Sequence, residues 1–128
     1  MLIIPDTNFL IYMTDYRLWH EFENLCGIYD LIILPQIVYE LEELSQKGNA
    51  SEKKSALVAL EILKKIKKLP KKEEGYADDV IIQTSLKLKK VNKKNFAVAT
   101  MDRELKDKLK KLNIKTLAIR QKKYIIED

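Results

Sequence analysis

The chain has one cysteine, Cys26, and one histidine, His20. A lone thiol cannot close an intramolecular disulfide, and the three or four Cys/His ligands of a usual zinc site are absent. Any metal would therefore be a hard ion held by oxygen. Nothing near Cys26 supplies a base, so its thiol reads as a small core residue. No apolar run approaches the ~20 residues of a membrane span, and the first residues carry neither the basic region nor the cleavage site of a secretion signal. The expectation is a cytoplasmic protein without membrane contact. No linker, internal repeat or low-complexity segment interrupts residues 1–128, which are expected to form a single domain burying about two-thirds of the surface its unfolded chain exposes.

What is abundant is lysine. Lys and Arg number 24 against 19 Asp and Glu, for a net charge of +5. The excess is clustered at Lys64-Lys65, Lys67-Lys68, Lys71-Lys72, Lys87 to Lys94, Lys106 to Lys111 and Arg120 to Lys123. Such clusters occur on solvated helix faces, and they equally suit a polyanionic partner, with nucleic acid the first candidate.

Apolar periodicity divides the chain into alternating strands and helices. Met1 to Ile4 reads as a buried strand, with Pro5 ending its ladder. Short helices follow at Asn8 to Met13 and Tyr16 to Cys26, the latter carrying Leu18, Trp19, Phe22, Leu25 and Cys26 at helical spacing, with Trp19 and Phe22 read as core, and stopped by Gly27. Leu31 to Leu34 reads as a second strand, ended by Pro35. Ile37, Val38, Leu41 and Leu44 mark a helix to about Lys47, stopped by Gly48-Asn49. Ser51 is the expected cap of a long helix striped by Ala56, Ala59, Leu60, Leu63 and Ile66 and ending before Pro70. Ala77, Ile81, Thr84 and Leu88 stripe the next helix. Phe96 to Thr100 is a third strand. Leu105, Leu109 and Leu112 stripe a further helix, stopped by Asn113. Ile114 to Ile119 gives a fourth strand and Tyr124 to Ile126 a short edge strand. This alternation predicts an α/β fold, a three-layer α/β/α sandwich of Rossmann-like kind around a mainly parallel sheet of 4–5 strands.

Acids stand at the ends of these elements. Asp6 follows the first strand and Asp102 the third, where open α/β sheets bind ligands. Each also suits a helix N-cap. Glu40, Glu42 and Glu43 share one helix, on which Glu40 faces the same way as Leu44, Glu43 partly so, and Glu42 elsewhere. Asp78 and Asp79 occupy the first turn of a helix, where the dipole favours acids, and about 100° of rotation separates them, so one is expected to face the crevice. Carboxylates converging on one crevice repel unless a cation neutralises them, which reads as a Mg²⁺ or Mn²⁺ site.

These residues resemble the PIN-domain ribonuclease family. The match comprises Asp6-Thr7-Asn8 after the first strand, Glu40 early in the helix after the second, Ala77-Asp78-Asp79-Val80-Ile81, and Ala99-Thr100-Met101-Asp102-Arg103-Glu104-Leu105. It is nearest the branch holding ribosomal-RNA-processing nucleases and the archaeal, VapC-like proteins. The resemblance implies a PIN-like fold with a catalytic and metal-binding site made of Asp6, Glu40, Asp78 and Asp102. Asp79, Asn8, Thr100 and Glu104 are implied as secondary positions. It implies a metal-dependent endoribonuclease acting on single-stranded RNA, in ribosomal-RNA processing or as the toxin of a toxin–antitoxin pair. Expected partners are RNA, a second copy in a homodimer, and an antitoxin or ribosome-assembly protein. The alternative is a catalytically idle RNA-binding or ribosome-assembly factor whose acids serve only as caps. A receiver domain would need a Lys leaving a late strand, and a haloacid-dehalogenase phosphatase would need an Asp where this chain has Asn8.

Overall fold

In the computed structural model, residues 1–26, 30–91 and 95–128 are described. Gly27, expected to stop the second helix, lies outside them, as do Lys93 and Lys94 of the lysine clusters. Among the described residues the order is β1 (Leu2–Pro5), α1 (Thr7–Asp15), α2 (Trp19–Leu25), α3 (Pro35–Lys47), α4 (Ala50–Ile66), α5 (Ala77–Lys90), β2 (Phe96–Ala99), α6 (Arg103–Lys111), β3 (Thr116–Arg120) and β4 (Tyr124–Glu127).

The sheet runs β1-β2-β3-β4. β1, β2 and β3 are parallel, with Ile4 opposite Val98 and Val98 opposite Thr116. β4 closes one edge antiparallel, with Ile119 opposite Ile125. Ile3, Ile4, Ala97, Val98 and Ala99 are wholly buried, as expected of strands covered on both faces. The helices cover this sheet in an α/β sandwich, with α4 lying on α3 and α1, α6 on β3, and α2 against β4.

Three expectations are corrected. The second strand at Leu31 to Leu34 reduces to a single parallel bridge between Leu31 and Ile3, with the Ile32 N–H donating to Ile3 O at 2.8 Å. It goes no further because Pro35 is already the first residue of α3 and the Lys67 ammonium takes the Leu31 carbonyl. The ladder of β1 also runs past Pro5, since the Asp6 N–H donates to Ala99 O at 2.9 Å. Finally, α4 is capped by Asn49 rather than Ser51. The Asn49 side chain accepts from the Glu52 N–H at 2.9 Å and the Glu52 carboxylate accepts from the Asn49 N–H at 2.9 Å, a reciprocal box that satisfies two otherwise orphaned donors.

Among the described residues, two helices end on left-handed residues. Arg17 (φ 57°) follows α1, and the Leu18 N–H donates back to Met13 O at 2.8 Å. Asn113 (φ 59°) follows α6, with the Ile114 N–H donating to Leu109 O at 3.0 Å. This double-bonded exit occupies residues 112–114 and delays β3 to Thr116.

Candidate active site

Parallel pairing puts the carboxyl ends of β1, β2 and β3 on one edge of the sheet, and the acids collect there. Asp6 leaves β1 as the N-cap of α1, in extended conformation, with Oδ1 accepting from the Phe9 N–H at 2.8 Å. Its Oδ2 accepts from the Thr100 hydroxyl. Thr100, fully buried just past β2, also accepts the Asp102 N–H at 3.0 Å. Asp102 in turn caps α6, its Oδ1 accepting from the Leu105 N–H at 3.0 Å. One hydroxyl thus ties the two strand exits together.

A cleft of about 610 Å³ opens over these exits. Asp6, Asn8, Glu40, Asp78 and Asp102 line it. Asp79 and Glu104 do not, and the Glu104 side chain is 82% exposed beside Lys108 at 3.6 Å. Thr100 lies beneath, reaching the cleft through its hydrogen bonds to Asp6 and Asp102. The three glutamates of α3 separate by partner. Glu42 pairs with Lys72 at 3.0 Å and Glu43 with Lys47 at 2.9 Å. Glu40 accepts from the Thr7 hydroxyl at 2.5 Å, which fastens α3 to the first turn of α1.

Charge accumulates in the cleft. Burial pushes the Asp6 carboxyl up to about 6; the Thr100 and Phe9 hydrogen bonds pull against it, and the charges of Asp78 and Asp102 add to it. Burial also raises Asp78, helped by the charge of Asp102 and opposed by Lys108. Asp6, Asp78 and Asp102 therefore sit in one another's fields although they belong to three different helix starts.

The donors on offer are all oxygens, the chemistry of a hard divalent cation. Among the described residues, no three acidic, histidine or cysteine side chains stand close enough to enclose an ion. The acids face each other across a cleft, an arrangement that fits an ion held by one or two carboxylates and otherwise by water, as Mg²⁺ commonly is.

Sequence reasoning did not single out Thr7, Tyr39 or Lys47, all of which line the cleft. Tyr39, Glu43 and Lys47 recur at four-residue intervals along α3, so extending the face that carries Glu40 by helical periodicity would have found two of them.

Two comparisons bear on this site. Residues 3–122 match the family described as PIN like domain. Ribonuclease VapC4 of Methanocaldococcus jannaschii is 39% identical over 126 residues, covering 95% of this chain and 92% of that protein. The matched segment contains β1 from Ile3 onward, β2, β3 and every acid of the cleft, and the chain therefore belongs to the PIN-like domain family.

Proposed function

We propose that the protein is an endoribonuclease that cuts single-stranded RNA with the help of a divalent cation, Mg²⁺ or Mn²⁺. The observation that carries this reading is the meeting of Asp6, Glu40, Asp78 and Asp102 at one cleft over the strand exits, where burial raises the Asp6 carboxyl and the charges of Asp78 and Asp102 add to it. Acids that raise one another's proton affinity are a costly way to cap helices and a useful way to hold a cation. The ribonuclease named among the relatives supports the same activity here.

Asp6 and Asp102 are the residues best fixed to hold the ion. Each has one oxygen committed to a helix-cap N–H, leaving lone pairs directed by a rigid turn. Asp78 and Glu40 complete the acidic wall, with Thr7 orienting Glu40. When bound, the cation would neutralise charge on the scissile phosphate and make a nearby water more acidic. Thr100 sets the position of Asp6 through its hydroxyl. Lys47, which lines the cleft in an ion pair with Glu43, would have to leave that partner to meet the strand's backbone. His20 does not line the cleft, and this chemistry needs no histidine.

Of the two roles expected for a VapC-like chain, we favour a toxin, with a small antitoxin partner in the cytoplasm, over ribosome maturation; the relative is named only as a ribonuclease. A second reading has a specific observation behind it. Asp6 and Asp102 are both N-caps, so an idle RNA-binding protein with purely structural acids would keep them too.

The deciding experiment is cleavage of a labelled single-stranded RNA with Mn²⁺, Mg²⁺ or EDTA, comparing wild type with Asp6→Asn and Asp102→Asn. Metal-dependent cutting that falls at least ~100-fold in each variant is expected. Equal residual cutting by all three proteins would overturn the reading, and RNA binding unaffected by the double substitution with no cutting would establish the idle protein.

A further inference from the structure

A second cavity, of about 410 Å³, opens beside the first and is lined by Tyr12, Tyr16, Met101, Ile119, Gln121 and Lys122. It takes no part in the acidic site, yet two elements border both. α1 begins in the acidic cleft at Thr7 and Asn8 and reaches the second cavity at Tyr12, one turn and ~6 Å further along its axis. The β2 exit divides them, with Asp102 on the acidic side and the preceding Met101 on the other, its Sδ accepting from the Ile119 N–H at 3.3 Å.

The walls of this cavity have a distinct chemistry. The Tyr12 and Tyr16 rings are stacked, with centroids 5.8 Å apart and planes within 8°. The Lys122 ammonium stands 5.5 Å from the centre of the Tyr16 ring. Tyr12 is 37% exposed and its ring is not sealed into the core. Lys122 is carried by the turn between β3 and β4, where Gln121 and Lys122 both hold left-handed backbone (φ 54° and 58°). An aromatic face beside a lysine, one residue along the chain from a cluster of acids suited to a cation, is the combination that binds single-stranded nucleic acid without reading its sequence.

We infer that the Tyr12–Tyr16 cavity is a base-stacking subsite for a nucleotide of single-stranded RNA flanking the one whose phosphate lies in the acidic cleft. The base stacks on the open tyrosine face and Lys122 contacts the adjoining phosphate. The inference rests on the nuclease reading for the course of the strand, whereas the stacking itself needs neither metal nor cutting.

The test is binding of short oligoribonucleotides carrying 2-aminopurine at successive positions, followed by fluorescence in EDTA, with wild-type cleavage in Mn²⁺ measured separately. One position is expected to change its emission on binding. Tyr12→Ala and Tyr16→Ala should each weaken affinity about 5- to 100-fold, while Tyr12→Phe and Tyr16→Phe retain it. Lys122→Gln should flatten the salt dependence. An abasic oligoribonucleotide of equal length should bind wild type and the alanine variants alike. Thermal melting identifies any variant that fails to fold, and the phenylalanine pair and Lys122→Gln then carry the comparison. Cleavage by wild type with unchanged affinity in the alanine variants would overturn the subsite and leave the nuclease intact. Tyrosine-dependent binding without cleavage would do the reverse. Absence of any binding by wild type would overturn the subsite.

Discussion

Replacing Asp6 by asparagine should make the metal-free protein more stable at neutral pH. The Asp6 carboxyl titrates at about 6 in the fold against an ordinary 3.8. A folded value above the unfolded one means that the stability contribution is complete below pH 3.8 and is lost as pH climbs through 6. The full loss is about 3 kcal/mol. Asparagine does not ionise and escapes it. Its carbonyl oxygen still accepts from the Phe9 N–H, but Thr100 loses a carboxylate acceptor, at about 1 kcal/mol. Asp6→Asn should therefore be about 2 kcal/mol more stable at pH 8, equal to wild type near about pH 4.5, and less stable below it. For a domain of this size, 2 kcal/mol is about 7 °C in Tm. Urea and thermal melts of both proteins in EDTA, from pH 3.5 to 8, measure the difference directly. A variant no more stable than wild type at pH 8 would refute the reasoning. Added Mn²⁺ should then raise the wild type by about 2.7 kcal/mol at a hundredfold excess over Kd, and the variant far less.

Further predictions concern single contacts. Asn49→Ala should cost about 1 kcal/mol through loss of the reciprocal box, while exposed Ser51→Ala changes stability by less than ~0.5 kcal/mol, both read by urea denaturation. Phe9, wholly buried in the first turn of α1, should cost about 3–5 kcal/mol on truncation to alanine and lower Tm accordingly. Thr100→Val removes a hydrogen bond that holds the Asp6 carboxyl down. Its titration, followed by carbon NMR, should move to higher pH than in wild type, and a downward move would contradict the assigned bond.

The legible parts of the sequence were those decided locally. The apolar run from Leu2 to Ile4 could only be a buried strand, and what it delivers at Asp6 followed from its end. The stripes of α3 to α6 gave those helices within a few residues. Asn49 and Ser51 are both good caps, and the separation of Asn49 from Glu52 by three positions was the sign that favoured the former. Leu31 to Leu34 was apolar enough for a strand, but a lysine 36 positions away took its leading carbonyl. The candidate acids could be named one by one from strand ends and motifs. Which of them share a field depends on how α3, α5 and α6 are set around the sheet, and that is tertiary information. Thr7 is the plainest case, because its role arises only when Glu40 arrives from 33 positions downstream.

The tie between Asp6 and Thr100 spans 94 positions, and this imposes a timetable on the nascent chain. β1 is made before the other elements of its sheet, yet its pairing partner begins at Phe96. Translation at ~5–20 residues per second leaves the opening strand without its main neighbour for about 5–20 s, and closing so long a loop slows the folding that follows. Throughout that interval the first carboxylate has no hydroxyl to position it and no second strand exit beside it. On the nuclease reading, a ribosome-bound chain that has not yet made β2 and Thr100 is harmless to the message that encodes it, and the ability to cut arrives all at once.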